Sequence, residues 1–258
     1  MHKDPPEKLL ERFRLGEISM PEVLDRLRAL PFEDLGFAKI DHHRTLRTGF
    51  PEVVFCQGKS TDQIRKIFRS LRKRNDVLLL TRASKEIFDA LRVEEPKLRY
   101  DEPARCVFLE ASARPKTGSV LIMTAGTADV PVAEEAALTA SLCGAKVERI
   151  YDVGVAGIHR LLAHVDPIRT ARCIVAVAGM EGALPSVVGG LASCPVIAVP
   201  TSIGYGSHQN GLTPLMTMLN SCAPNVVVVN VDNGFGAGFS AALVNNGPGG
   251  ERQPSPYS

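Results

Sequence analysis

Short apolar runs alternate with helix-forming stretches along the second half of the chain, and this alternation limits the possible folds more than any other feature. Five runs of apolar, mostly β-branched residues predict strands at 119–123, 146–150, 173–177, 195–199 and 226–230. The stretches between and after them predict helices at 132–143, 157–164, 184–192, 212–220 and 235–245. Because each run is nearly continuous, its strand should be covered on both faces. The pattern therefore predicts an α/β fold in which helices flank both faces of a parallel sheet.

The loops that follow these predicted strands are rich in Gly, Thr and Asp, and ligands bind beyond the carboxyl ends of the strands in such sheets. Loop 124–129, TAGTAD, offers backbone amides and hydroxyls that suit an anion or a ribose phosphate. Its candidate ligands are Thr124, Gly126, Thr127 and Asp129. The alternative is that Asp129 only caps the helix that follows. Asp232, in loop 231–236, is a further candidate at the same edge.

Two other side chains at this edge are candidates for chemistry. Glu181 lies in a Gly-rich, apolar loop, where a carboxylate can act as a general acid or base. The alternative is a surface Glu at a helix start. His159 is a candidate contact for a phosphate or ribose, or a residue that only packs. The run 234–238 reads GxGxG, which is not a Rossmann fingerprint and predicts either close helix packing or a phosphate contact.

Charge is distributed unevenly, and the shift divides the chain. Residues 1–118 hold 24 of the 30 Lys and Arg side chains and 19 of the 28 Asp and Glu side chains, whereas 17 of the 22 glycines lie after them. We therefore expect a charged α/β N-terminal domain at 1–117, a core at 118–246 and a disordered tail at 247–258. The 15 charges after residue 118 are too few to cover the core's surface. We therefore expect that surface to be buried in a homo-oligomer.

The N-terminal region is less regular. Its patterns predict helices at 6–15, 20–30, 61–73 and 84–91 and strands at 53–55, 77–81 and 106–110, a small α/β domain whose topology stays open. The GKS sequence at 58–60 lacks the earlier Gly of a Walker A loop, because position 53 is Val, and this excludes an ATP-binding loop. Lys59 at a helix start is a candidate ligand for a phosphate or carboxylate, or an ordinary exposed lysine.

Several classes of protein are excluded. No apolar run approaches the ~20 residues of a membrane span, and a net charge of +2 argues against a nucleic-acid binder held by bulk charge. The charged first 14 residues lack the apolar segment of a signal peptide, so we expect a cytoplasmic protein with six reduced cysteines. The histidines lack the spacing of zinc ligands. Cys194 and Cys222 precede predicted strands, opposite the expected site, and within one chain both are expected to pack.

Longer motifs carry a resemblance to a known family. The segments TAGTAD (124–129), DVGVAGIHRLL (152–162), AGMEGALPSVVGGLASCPVIAVPTSIGYG (178–206) and VNVDNGFGAGFSAAL (229–243) resemble, in this order, the core of the PurE-type aminoimidazole ribonucleotide carboxylases. Two departures stand out: His159 follows Gly-Ile instead of Ser-Ala, and Met180-Glu181 replaces Ala-His. Together with DHHRTLRTGFPEVVFCQGKS (41–60), the chain resembles the LarB family of nickel-pincer nucleotide cofactor biosynthesis over about residues 10–246.

This resemblance implies a PurE-like three-layer core, an octamer with active sites between subunits, and a specific reaction. The substrates are nicotinic acid adenine dinucleotide and CO2, without biotin or ATP, and the products are AMP and pyridinium-3,5-biscarboxylic acid mononucleotide. The resemblance carries over Cys222 as nucleophile and Glu181 as base, against the single-chain expectation for Cys222. Hydrolysis of the anhydride needs charge neutralisation, for which Mg2+ with Lys59, Arg44 or Arg47 is the candidate.

Two alternatives stay open. The first is a PurE-like carboxylase or mutase that acts on a purine ribonucleotide, against which Glu181 and the extra N-terminal domain count. The second is a non-catalytic nucleotide-binding module, which would bind its ligand without incorporating CO2.

Overall fold

The computed structural model describes residues 6–28, 32–42, 44, 48–110 and 115–247. The N-terminal part begins with helices α1 (Pro6–Arg14) and α2 (Met20–Arg28) and a short antiparallel pair, β1 (Glu33–Asp34) and β2 (Lys39–Ile40). There follow β3 (Val54–Phe55), α3 (Thr61–Arg72), β4 (Val77–Thr81), α4 (Lys85–Arg92), β5 (Arg99–Asp101) and β6 (Cys106–Glu110).

Strands β3 to β6 form a four-stranded sheet in the order β3-β4-β6-β5. Strands β3 and β4 are parallel, and the other pairs are antiparallel. Helices α3 and α4 bury residues such as Ile64, Phe68 and Leu91 against Leu78 and Leu80 of β4. The sequence did not predict β1, β2 or β5, because these short segments consist mostly of charged residues, whereas β3 and β11 are equally short but apolar.

The second half contains β7 (Thr117–Thr124), α5 (Val130–Leu142), β8 (Ala145–Ile150), α6 (Ile158–Leu162), α7 (Val165–Thr170), β9 (Cys173–Ala178), α8 (Leu184–Leu191), β10 (Val196–Pro200), α9 (Leu212–Leu219), β11 (Val226–Val228) and α10 (Gly234–Asn246). Its five strands are all parallel, in the order β11-β10-β9-β7-β8. The predicted α/β fold is therefore confirmed. The sequence missed α7, a separate helix, whose Pro167 lacks the N–H that a continuation of α6 would need.

Alternate residues along the central strand β7 face opposite layers of helices. Val120 and Ile122 pack with α5 and α10, whereas Leu121 and Met123 pack with α7, α8 and α9. All four side chains are at most 1% exposed. Burial on both faces is the physical reason why the strands of this half are unbroken apolar runs.

Helices α5 and α10 lie unusually close to each other on one face of this sheet. A Cβ atom at Gly234 would collide with the carbonyl oxygen of Val132, and a Cβ atom at Gly238 with that of Ala136. The glycines of run 234–238 therefore allow two helix backbones to touch. This favours the packing interpretation of the run over a phosphate contact.

The two halves of the chain share a hydrophobic core. Phe50 and Leu79, from the N-terminal part, pack with Leu138 and Leu142 of α5 and Phe239 of α10. The boundary expected at 117–118 falls at the start of β7 and stays a prediction. The expected tail lies outside the described residues except for Gly247. Within the described residues, no helix has the length and apolar character needed to cross a membrane.

Candidate active site

A cavity of about 260 Å³ lies beyond the carboxyl ends of β7 and β9. Residues on its walls include Gly126, Asp129, Arg160, Gly179, Glu181 and Ile203. It is formed by the loops that follow β7, β8, β9 and β10, which is the edge of the sheet that the sequence predicted for the site. Of the candidates from the sequence, it brings together Gly126, Asp129 and Glu181.

The turns at this edge are conformationally strained. Asp152, Met180 and Asp232 have positive φ angles of 59°, 48° and 55°, and they follow β8, β9 and β11. Each such residue costs on the order of 1–3 kcal/mol and persists only where its surroundings hold it. At Gly179 a Cβ atom would collide with the carbonyl oxygen of Ile203, so the loops after β9 and β10 lie directly against each other. The close contact between these loops is one of the restraints that keep the strained turns in place.

Asp129 holds the loop after β7 closed. Its side chain is buried, and its two oxygens accept hydrogen bonds from Gly126 N at 2.9 Å and from Thr201 Oγ1 at 2.8 Å. Burial raises the pKa of Asp129, and these hydrogen bonds oppose the rise. The side chain makes no capping hydrogen bond to α5, so the structure does not support the capping alternative. Both carboxylate oxygens are engaged in loop closure within the chain.

The two threonines of this loop have different environments. Thr124 is fully buried, and its Oγ1 accepts a hydrogen bond from Asp152 N at 3.0 Å. Thr127 is exposed, in a short 3-10 turn at Thr127–Asp129. Thr124 therefore joins the loops after β7 and β8, whereas Thr127 is accessible to a ligand.

Glu181 has a very different environment from Asp129. Its side chain is exposed at the cavity, and within the described residues no ion pair or hydrogen bond engages its carboxylate. His159 is exposed on α6 but does not line the cavity. Its neighbour Arg160 does, and Arg160 Nη1 lies 2.7 Å from Asp152 Oδ2. The sequence analysis missed Arg160, although it is one of only six Lys or Arg residues after position 118.

Cys222 does not line the cavity that Glu181 lines, although Oγ of its neighbour Ser221 lies 2.8 Å from Ser186 Oγ in the first turn of α8. Cys222 is exposed in the connection between α9 and β11. Cys194, in the connection before β10, is buried. The expectation that both thiols pack therefore holds for Cys194 but is wrong for Cys222. Burial raises the pKa of the Cys56 and Cys173 thiols to about 12, so neither is a ready nucleophile.

A second cavity, of about 530 Å³, lies between the N-terminal sheet and the start of α10. Residues on its walls include Arg44, Phe55, Gln57, Arg82, Asn230 and Asp232. Lys59 lies at its edge, since Lys59 Nζ donates to the carbonyl oxygen of Phe55 at 2.6 Å. Of the candidates from the sequence, Arg44 and Asp232 line this cavity, and Lys59 contacts Phe55 on its wall. Arg47 lies outside the described residues.

Arg82 connects the N-terminal part to the core at this cavity. It directly follows β4 with a φ of 53°, and its Nε lies 3.3 Å from Oε1 of Glu135 in α5. Its Nη2 donates to the carbonyl oxygen of Asp232. The other oxygen of Glu135 accepts from Phe235 N at 3.2 Å. Burial raises the pKa of Glu135, and the Arg82 charge opposes the rise.

The sequence analysis missed this pair, although it contained a signal for it. Glu135 lies in the middle of an apolar helix in the charge-poor half of the chain, where a carboxylate needs a buried partner. For metals, no group of three or more His, Cys, Asp or Glu side chains in the described part of the chain is arranged to hold an ion. The expected Mg2+ stays a prediction, because this ion is usually held by one or two carboxylates together with the phosphates of its substrate.

Comparisons with known proteins agree with this architecture. A family model described as the LarB/PurE-like N-terminal domain matches residues 32–112, and one described as AIR carboxylase matches residues 119–246. The chain is also 41% identical, over 246 residues, to an uncharacterized protein of Methanocaldococcus jannaschii. That match covers 92% of this chain and 95% of the relative. The AIR carboxylase match indicates an enzyme of the PurE-type carboxylase and mutase class. With both domains matched in order, the chain belongs to the LarB-type proteins.

Proposed function

We propose that this protein carboxylates carbon 5 of the pyridinium ring of nicotinic acid adenine dinucleotide and hydrolyses its phosphoanhydride. The products are AMP and pyridinium-3,5-biscarboxylic acid mononucleotide, a precursor for nickel-pincer cofactor synthesis. The observation that carries the proposal is the Glu181 carboxylate, which lines the smaller cavity of a LarB-type chain without an ion pair or hydrogen bond among the described residues. A carboxylate with no such partner is available to remove a proton from a substrate.

The ring chemistry explains why the reaction needs a thiol as well as a base. A pyridinium ring is electron-poor and does not attack CO2. Addition of the Cys222 thiolate to carbon 4 breaks the aromaticity and makes carbon 5 an enamine nucleophile. Carbon 5 then forms a bond to CO2. Glu181 removes the carbon-5 proton, and the thiolate leaves carbon 4, which restores the aromatic ring with a second carboxylate.

Within one chain, Glu181 lines the smaller cavity but Cys222 does not. Following the family resemblance, the proposal places Cys222 of one copy at the cavity of another. The exposure of Cys222 supports this arrangement, because a buried thiol could not enter a neighbour's site. Exposed apolar side chains on the same half, such as Leu219 and Val227 at 59% and 53% exposure, support contact between copies.

The test is incubation of the purified protein with labelled bicarbonate and nicotinic acid adenine dinucleotide. We expect label in a biscarboxylated mononucleotide and release of AMP, both detected by mass spectrometry. A parallel incubation with 5-aminoimidazole ribonucleotide addresses the purine alternative. Label in that compound alone would replace the proposal with a purine carboxylase. Label in neither compound, despite ligand binding, would point to a non-catalytic module.

A further inference from the structure

The family matches do not say which ligand the larger cavity binds, but its position and lining residues indicate one. Its walls come from the carboxyl ends of the parallel strands β3 and β4 and from the loop after β11. The carboxyl ends of parallel strands are where ligands bind in α/β sheets. A volume of about 530 Å³ is also within the range of small-molecule sites.

The residues that line this cavity include two cations, Arg44 and Arg82, and two carboxylates, Glu135 and Asp232. Arg82 and Glu135 neutralise each other, and Asp232 Oδ1 accepts a hydrogen bond from Ser202 N at 2.8 Å. Within the described residues, no carboxylate pairs with Arg44 or Lys59. The Arg44 guanidinium lies 6.0 Å from the Phe239 ring centre, and Lys59 Nζ lies 5.7 Å from that of Phe55. Arg44 therefore lines the cavity without a carboxylate partner among the described residues, and its guanidinium can bind a phosphate.

The remaining groups suit a nucleoside. The Phe55 ring is 50% exposed at the cavity and offers a flat surface on which an aromatic base can stack. Gln57 lines the same wall, and a side-chain amide can donate to and accept from the edge of adenine. The second oxygen of Asp232 can accept a hydrogen bond from a ribose hydroxyl. Phosphate, ribose and base each have a matching group.

The two cavities are neighbours. Asp232 lines the larger one, and its carboxylate binds the backbone of Ser202. The adjacent residue, Thr201, donates to Asp129, which lines the smaller cavity. A wall of residues at the carboxyl end of β10 thus separates them. A dinucleotide that occupies both cavities would have to pass its flexible pyrophosphate across this wall.

We infer that the larger cavity binds the adenosine monophosphate half of the dinucleotide, with Arg44 on the phosphate and Phe55 under the base. This assignment rests on the dinucleotide substrate proposed above and adds the site of its second half. It implies that the N-terminal domain selects the nucleotide, while the core performs the ring chemistry.

The test uses AMP itself and isothermal titration calorimetry of the full chain. We expect wild-type protein to bind AMP, and Arg44→Ala to weaken AMP binding about 10-fold or more through loss of a charge-assisted contact. Phe55→Leu keeps apolar bulk but removes the ring, so it should weaken AMP binding at least about 5-fold. The same variant should leave binding of ribose 5-phosphate unchanged. Arg14→Ala is the matched control, because that side chain is 77% exposed on α1.

Three results would overturn the assignment. The first is wild-type protein that does not bind AMP, and the second is AMP affinity unchanged in both Arg44→Ala and Phe55→Leu. The third is displacement of AMP by nicotinic acid mononucleotide, which would place both in one cavity. If wild-type protein incorporates label while either variant keeps a normal KM for the dinucleotide, the proposed function survives and this assignment fails. If AMP binds as expected but no substrate is carboxylated, the cavity assignment survives and the proposed function fails.

Discussion

Glu181 and Cys222 show how strongly a residue's role depends on what surrounds it. Asp129 and Glu181 line the same cavity, yet Asp129 is buried and uses both oxygens within the chain, whereas Glu181 is exposed. Cys194 and Cys222 occupy equivalent connections, yet only Cys222 is exposed. In each pair, the residue proposed for catalysis is the exposed one, whose side chain is accessible to a substrate.

Replacement of Glu181 by Gln tests the base. Gln keeps the size and hydrogen-bonding capacity of Glu but cannot accept the carbon-5 proton. We expect dinucleotide binding to persist while carboxylation falls at least ~100-fold. The measurement is label incorporation, with binding followed separately by calorimetry. Glu148→Gln, at an exposed position on β8, is the matched control. Carboxylation at the wild-type rate would move the role to Asp129 or Asp232.

Replacement of Cys222 by Ser tests the nucleophile. The two side chains are nearly isosteric, but a neutral hydroxyl is far less nucleophilic than a thiolate. We expect Cys222→Ser to abolish carboxylation and to remove any dihydropyridine-like absorbance that forms with oxidised pyridine dinucleotides. Cys194→Ser, at a buried position, should lose a little stability and keep its activity. An active Cys222→Ser enzyme, or a folded but inactive Cys194→Ser enzyme, would show that the role belongs to another residue.

At the scale of elements, the contact between α5 and α10 depends on the absence of side chains. Gly238→Ala would place a Cβ atom against the carbonyl oxygen of Ala136, which is backbone and cannot move aside. We expect a loss of about 2 kcal/mol, as for other overpacked cores. Gly190 in α8 is the control, because its Cβ atom would meet open space and Ala there should stabilise by about 0.5 kcal/mol. Urea denaturation at fixed protein concentration measures both, and equal behaviour of the two variants would contradict the packing account.

At the scale of the whole molecule, the Arg82–Glu135 pair holds the N-terminal part on the core. Arg82→Met would leave the Glu135 carboxylate, which is 5% exposed, buried without its cation. We expect a loss of about 2–3 kcal/mol, below the full cost of a broken buried pair because Arg82 is partly exposed. The double variant Arg82→Met with Glu135→Leu should recover part of that loss, since no charge is then stranded. Thermal unfolding measures this, and additive losses would show that the two residues do not act as a pair.

The surface of the core bears on how the chains assemble. The core exposes large apolar side chains, among them Tyr205 at 80% and Leu243 at 53%, and carries few charges to cover them. We propose a homo-oligomer, expected to be an octamer, in which Cys222 of one copy contributes to the active site of another. Light scattering should give a mass close to eight 27.8 kDa chains. A stable, soluble and active monomer would contradict this proposal and the interfacial site with it.

The sequence by itself determined the core sheet and the end of its strands at which the candidate active site lies. Unbroken apolar runs such as 173–177 predict strands buried on both faces, and in a parallel sheet their carboxyl ends must share one edge. The position of Glu181 at that edge followed directly from this local pattern. The sequence did not predict the short strands β1, β2 and β5, because most of their residues are charged and no apolar run marks them.

Only the tertiary structure decided which polar side chains are buried in contacts within the chain and which are exposed at a cavity or on the surface. Arg82 and Glu135 are 53 residues apart in the chain, and Asp129 and Thr201 are 72 apart, so their pairing depends on how whole elements pack. The same packing buries Cys194 and exposes Cys222, although both lie in similar connections. Local sequence determines backbone conformation through short-range sterics and periodicity. Contacts between distant residues form only when the sheets and helices are assembled, and those contacts created both cavities.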